Sequence, residues 1–254
     1  MTDVTAIIAV SVDTPVDFLT RSLASVVAQT HPIDAILVAA PARLHPEAES
    51  ILRAPDAVAA GVRYIVGDPQ AGAGDAGDGA AALDQALASC GTEFIMRLDA
   101  GDVAHNERTA RALEEFARAD RRGRRVDVVG TAVYEFDASL EFSSPLELIS
   151  SAVSVRSFPT SPAKATKAAV PVLATTVTAR RAALTAAGGW AGGSDRDLWR
   201  RIIDGRGAVV SLPQPLTWHC AGFAVADGIC PPEGRRHHPG GWWATVKRLV
   251  RFGR

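Results

Sequence analysis

Apolar positions in the first hundred residues fall into short blocks, and two different spacings alternate along the chain. TAIIAVSV is a compact run rich in branched residues, the pattern of a strand buried on both faces. FLTRSLASVV repeats its apolar positions at helical spacing, with Phe18, Leu19, Ser22, Leu23, Val26 and Val27 on one side and Asp17 as the expected N-cap. AILVAA and VRYIV read as further strands, AALDQALA as a helix of strong formers, and EFIMRL as a fourth strand. This βαβαβ order predicts an α/β fold with a mostly parallel central sheet flanked by helices.

The later pattern is less regular. NERTARALEEFARADRR has the periodicity of an amphipathic helix, and VDVVGTAVYEF that of a strand. Residues 137–167 are rich in Ser, Pro and short apolar groups and predict a flexible loop or lid. PVLATTVTA reads as a strand, Gly-Gly punctuation follows, and SDRDLWRRII reads as a short helix. There is no internal repeat, and nothing in the composition requires a second independent domain.

Composition narrows the class of partner. The 254 residues are 47% hydrophobic and 22% charged, with a net charge of -1, so the total recommends neither nucleic acid nor an acidic polymer. The three cysteines, Cys90, Cys220 and Cys230, have no disulfide-framework spacing and suit a reducing cytoplasm. MTDVTAIIAVSVD lacks a basic leader and does not read as a signal peptide, and no apolar run approaches the ~20 residues needed to span a bilayer.

The candidate chemistry begins at MRLDAGDV, residues 96–103, where a buried-strand pattern stops at two acids, Asp99 and Asp102. Ligands of parallel α/β sheets bind at the carboxyl ends of strands. Carboxylates there suit a hard divalent cation shared with substrate phosphates. Equally, Asp99 could cap the turn while Asp102 is solvated, because Asp and Gly are common in turns.

Neighbouring segments add to this. LTRSLASVVAQTHPIDAILVAA, MRLDAGDVAHNERTARALEEF, VDVVGTAVYEF, TVTARRAALTAAGGW and SDRDLWRRIIDGRG come in an order that resembles the family-2 glycosyltransferases with the GT-A fold. The likeness lies in the Gln29-Thr30 pair before the second strand, the acidic turn Asp99 to Asp102, and Arg108 at the start of a long helix. It continues in the Gly188-Gly189-Trp190 turn and the acidic start of the Ser194-to-Trp199 helix, and it extends over about residues 4 to 219. The resemblance implies one domain, 1–235, with a nucleotide-binding half (1–104) and an acceptor half (105–235). It implies transfer of a sugar from a nucleotide-diphosphate donor to a hydroxyl of a glycan or lipid-linked glycan, with inversion.

In that scheme Asp195 is the general base, and Asp13, Gly79, Asp84 and Asp99 border the nucleotide. Asp99, assisted by Asp102, holds a divalent metal, Mn2+ or Mg2+. Arg108 is structural or orients the acidic turn. The alternative for Asp195 is a helix-start residue favoured by the macrodipole, a place Asp197 could fill equally well. Three positions depart from the family pattern: Ala39-Ala40-Pro41 replaces an acidic pair, Gly101 replaces the middle acid of the metal motif, and Ser194 replaces a Glu. These departures favour, as a second reading, a weakened GT-A-like binding or assembly domain.

Two other signals compete. GAGDAG, residues 72–77, formally matches a dinucleotide fingerprint and is the only support for an NAD-dependent oxidoreductase, but it follows the third strand rather than the first. His219, Cys220, Cys230, His237 and His238 fit no zinc spacing. The tail GGWWATVKRLVRFGR, within 236–254, combines Trp242 and Trp243 with Lys247, Arg248, Arg251 and Arg254. Such a helix either docks on the domain or lies on an anionic membrane surface, which would put the protein at the inner face of the membrane.

Overall fold

The computed structural model describes residues 3–67, 77–137, 154–190 and 193–221. Strands β1 (Val4–Ala9), β2 (Ala35–Ala40), β3 (Val62–Val66) and β4 (Phe94–Asp99) build the first half of one sheet. All their pairings are parallel: β1 lies between β2 and β4, and β3 is outside β2. This explains why all six residues of β1 are buried while the edge strand β3 is half exposed. The second half adds β5 (Val103–Ala104), β6 (Val128–Asp137), β7 (Ser154–Arg156), β8 (Thr178–Arg180) and β9 (Val209–Ala221). The order across the sheet is β3-β2-β1-β4-β8-β6-β9-β5, with β7 on β6. β8, β7 and β5 pair antiparallel, whereas the long β6–β9 ladder is parallel, so most paired residues lie in parallel ladders.

Helices α1 (Val16–Val27), α2 (Pro46–Leu52), α3 (Pro55–Ala59), α4 (Gly77–Ala88), α5 (Arg108–Asp120), α6 (Pro162–Lys167), α7 (Arg181–Ala186) and α8 (Asp195–Asp204) complete the described elements. They cover both faces of the sheet, and strand alternation decides which residue meets which helix. Val4, Ala6 and Ile8 of β1 and Phe94, Met96 and Leu98 of β4 pack with Leu19 and Leu23 of α1 and Phe116 of α5. Ile7, Ala9 and Ile95 pack on the other face with Ala82 and Ala86 of α4, Leu184 of α7 and Leu198 and Trp199 of α8. The same alternation turns Arg97 and Asp99 toward the α4–α8 face.

Several expectations are corrected. Pro15, not Asp17, stands at the N-cap of α1, and Asp17 lies within its first turn. PVLATTVTA is not one strand; it forms a 3-10 turn, Ala174–Thr176, and the three-residue β8. Of the expected loop 137–167, residues 138–153 lie outside the described residues, and the remainder contains β7 and α6. The spacing also gave no sign of α2, α3 or β9. β9 was hidden by Pro213 and Pro215, which cannot donate to a ladder. The β6–β9 register shifts beside them, between Thr131 and Val133, and the strand survives as a bulged one. GAGDAG falls largely outside the described residues, with Gly77 beginning α4, and the tail 236–254 lies wholly outside them.

Candidate active site

The site lies where β1 and β4 end side by side, with Ala9 opposite Asp99 in the ladder. The connections leave these two strands in opposite directions across the sheet, the arrangement that in parallel α/β sheets leaves a ligand crevice at the strands' carboxyl ends. The acidic turn begins there: Asp102 N–H donates to Asp99 O at 3.0 Å, and Gly101 sits at φ +101°. A side chain is strained at that φ, so the position where the family pattern has an acid here supplies backbone freedom. Helix α1 stitches the turn from beneath. Ser22 Oγ accepts from Gly101 N–H at 2.9 Å and donates to Asp102 O at 2.8 Å, and Ser25 Oγ accepts from Ala104 N–H. Gln29 continues the seam, donating to His105 O and accepting from both the N–H and the hydroxyl of Thr109. The Gln29-Thr30 pair is therefore a clamp between α1 and the start of α5.

Arg97, which the sequence reading passed over, organises the acids. It sits in the middle of β4 and is 3% exposed. Its Nε donates to Asp99 Oδ1 at 3.1 Å, and its Nη1 donates to Asp195 Oδ1. Burial pulls the Arg97 pKa down, but the two carboxylates outweigh it and leave the group above its ordinary value. Burial pushes the Asp99 carboxyl above the ordinary range; Arg97 opposes the shift, and Asp195 and Asp102 add to it. The signal for Arg97 was present in IMRLD: a charged residue inside a buried apolar run needs a partner.

Asp195 begins α8 and reaches the same crevice. The cap of that helix is Ser194, whose hydroxyl and backbone N–H are engaged in a capping box with Asp197. Asp197 thus takes the helix-start role, and Asp195 is free to turn inward. Asp195 Oδ1 accepts a second hydrogen bond, from Trp190 Nε1 at 2.9 Å. Trp190 is fixed in turn: its backbone N–H donates to Asp84 Oδ1 at 2.7 Å, and Arg201 donates to the carbonyls of Ala187 and Gly189.

The other expected site residues divide. Asp13 is exposed in the turn after β1, and Gly79 is exposed at the start of α4 with open space where a Cβ would be. Both follow strands at their carboxyl ends, and neither shares a hydrogen bond with Asp99 or Asp195. Asp84 holds the Trp190 turn, accepting the Trp190 backbone N–H through its Oδ1. Asp102 is 2% exposed, and its carboxylate accepts from His219 Nδ1 at 3.0 Å and from Cys220 N–H at 2.8 Å. It anchors the end of β9. Burial lowers the His219 pKa, but the adjoining carboxylate outweighs this and raises it.

Arg108 is fully buried, and its guanidinium donates to the carbonyls of Arg97 and Thr175. Burial brings its pKa down to about 9. It staples β4 to the 3-10 turn, whose Thr175 hydroxyl accepts from Asp99 N–H. Ala39 and Ala40, which replace the acidic pair, are buried in the β2 ladder.

The fit to a metal can be tested on these donors. Among the described residues no group of three or more His, Cys, Asp or Glu side chains is arranged to hold an ion. Asp99 retains capacity: its Oδ2 accepts no hydrogen bond from the described residues, and its side chain is 24% exposed. A single carboxylate plus substrate phosphates is a normal site for a Mg2+-like ion, so Asp99 fits a cation arriving with a diphosphate.

No family model matches the chain, and no curated protein matches its sequence. Solved structures do match. The chain has a glycosyltransferase fold. It is similar to S. aureus TarS with a TM-score of 0.59 at 13% identity, over 99% of this chain and 39% of that one. It is similar to the mannosyltransferase PcManGT from Pyrobaculum calidifontis, in complex with GDP-Man and Mn2+, with a TM-score of 0.60 at 16% identity, over 90% of this chain and 61% of that one. TarS 1–349 in complex with UDP-GlcNAc matches with a TM-score of 0.55 at 12% identity, over 99% of this chain and 66% of that one. The chain thus spans less than two thirds of both TarS and the mannosyltransferase. No helix among the described residues is long and apolar enough to cross a membrane.

Proposed function

We propose that the chain is a family-2-like glycosyltransferase that moves a sugar from a nucleoside-diphosphate donor to an acceptor hydroxyl with inversion. The observation that supports this reading is the joining on the Arg97 guanidinium of Asp99 and Asp195, which in this reading are the donor-side acid and the base. Asp195 Oδ1 already accepts two hydrogen bonds, so Oδ2 is the oxygen that meets the acceptor. It takes the hydroxyl proton as the acceptor oxygen bonds to the anomeric carbon. The bond from that carbon to the diphosphate oxygen breaks, and its electron pair leaves on the phosphate. One displacement of this kind inverts the carbon. Asp99 would hold the divalent cation, Mn2+ or Mg2+, which when bound offsets charge on the departing diphosphate. Asp13 and Gly79 would border the nucleotide.

Thermal shifts with UDP, GDP, dTDP and NAD, each with and without Mn2+, test the reading. A shift with one nucleoside diphosphate is expected. Donor hydrolysis by wild type and Asp195→Asn then tests the base, and equal rates would remove it. Silence with every nucleotide would favour the weakened-domain reading, whose own support is the burial of Asp102 against His219. The turn after β1, Ser11 to Thr14, contains no glycine, which leaves the dinucleotide reading without its fingerprint.

The acceptor is proposed to be a glycan or lipid-linked glycan, approached with help from the basic tail. Sedimentation with anionic liposomes compares the full chain with one ending at Arg236; equal binding rejects the tail's role.

A further inference from the structure

Arg97 is a costly residue in its position. A guanidinium buried in a central strand must be desolvated, and replacing such ion pairs by apolar side chains of similar size is often neutral or stabilising. Neutralising two acids is therefore a poor account of why it is there. Its geometry is more specific. The guanidinium is a flat, rigid fork, and its Nε and Nη1 are directed at different carboxylates, Asp99 and Asp195, so one plane fixes both acids relative to each other. Asp99 is on the same strand two residues away, and its own backbone N–H is held by Thr175. Asp195 comes from another element, 98 positions along the chain, and depends on Arg97 and Trp190 for its orientation.

We infer that Arg97 is a positioning residue: with the Trp190 indole it holds Asp195 Oδ1, so that Oδ2 faces the acceptor at a fixed distance from the donor-side acid Asp99. Trp190 carries the same constraint to α4 through Asp84, and its guanidinium neighbour lies 5.4 Å from its ring centroid. The base is thus referenced to β4 and α4, the elements bordering the nucleotide, and not only to its own helix. This inference rests on the proposed function for its kinetic consequence but not for its structural one.

The test uses the full chain as wild type, Arg97→Met, Arg97→Lys and Trp190→Phe, with the UDP- or GDP-sugar that wild type hydrolyses and the matching nucleoside diphosphate. Loss of orientation of a general base is expected to lower kcat by ~100-fold in Arg97→Met. KM for the donor should stay within about threefold in Trp190→Phe, where Asp99 keeps its Arg97 partner, because orientation of the base does not enter ground-state donor binding. Arg97→Lys should recover part of the loss, since it restores one charged donor but not the fork. Trp190→Phe, which leaves the Arg97–Asp99 pair intact, should lose about tenfold in kcat and so carries the test if Arg97→Met does not fold.

A second readout is independent of turnover. The Trp190 indole N–H resonance, assigned by its disappearance in Trp190→Phe, should move in Arg97→Lys and in Asp195→Asn. An unmoved resonance in both, a raised KM with unchanged kcat, or no kinetic loss in any variant would overturn the inference. If wild type binds no nucleotide and hydrolyses no donor, the proposed function falls, while the indole resonance still decides whether Arg97 orients Asp195.

Discussion

Asp84 of α4 accepts the backbone N–H of Trp190 at 2.7 Å, a contact that closes 106 residues of chain and ties the turn before α8 to α4. It exists because Gly189 allows it. Gly189 sits at φ +65°, and a Cβ on it would lie 2.1 Å from Asp84 Oδ1. Gly189→Ala must therefore push Asp84 away and strain the turn at once. The expected cost is about 1–3 kcal/mol in urea unfolding, together with loss of the Trp190 contact to Asp195. Unchanged stability would mean that the turn can refold around the methyl group.

Ser194 stands where the family pattern has a Glu, and restoring the acid should not help. The Ser194 hydroxyl belongs to the capping box of α8, and a Glu there would lose it while adding a charge beside Asp195 and Asp197. Ser194→Glu is expected to lower stability by about 1 kcal/mol and to leave donor hydrolysis no faster. Faster donor hydrolysis would show that the acid of the family pattern acts directly and that Ser194 is a real loss.

Much of this was legible in the amino-acid pattern, and the gaps have physical causes. The parallel half was readable because β1, β2 and β4 are buried on both faces and so appear as unbroken apolar runs. Asp99 and Asp195 stood out as candidates because each lies at the end of an element. Arg97 was not sought, although a lone Arg inside IMRLD is itself a request for a buried partner. The surroundings of Asp102 were not legible because spacing cannot say which way a turn residue points; its partners, His219 and the Cys220 N–H, come from β9, a strand disguised by two prolines. The Asp84 contact was hidden because its partner is a backbone group a hundred positions away. Such long-range polar contacts leave no periodic trace in the chain.

Arg108 was expected to be structural or to orient the acidic turn, and its contacts bear this out. Its guanidinium satisfies the carbonyls of Arg97 and Thr175 in a site without solvent. Arg108→Met removes the donors and leaves those acceptors buried, so a loss of about 3 kcal/mol or more is expected in urea unfolding. Arg108→Lys should rescue only partly, because an ammonium has no planar fork to reach two carbonyls from different elements. Full rescue by lysine would show that charge alone matters there.

The Asp102–His219 pair makes a pH prediction. The folded His219 pKa is raised: burial works against the imidazolium, and the Asp102 carboxylate overcomes it. A group whose pKa is raised on folding contributes stability that is fully present below its unfolded value, ordinarily about 6.5, and that disappears as pH rises through the folded value. The increment from this pair should therefore be present in mildly acidic solution and fade as the imidazolium loses its proton. In Asp102→Asn the opposing carboxylate is gone and burial remains, so the His219 titration should move down, below the ordinary value. Imidazole proton shifts followed against pH in wild type and Asp102→Asn measure both titrations. Coincident curves would mean that the carboxylate does not control His219, and that the Asp102 side chain holds β9 through the Cys220 N–H.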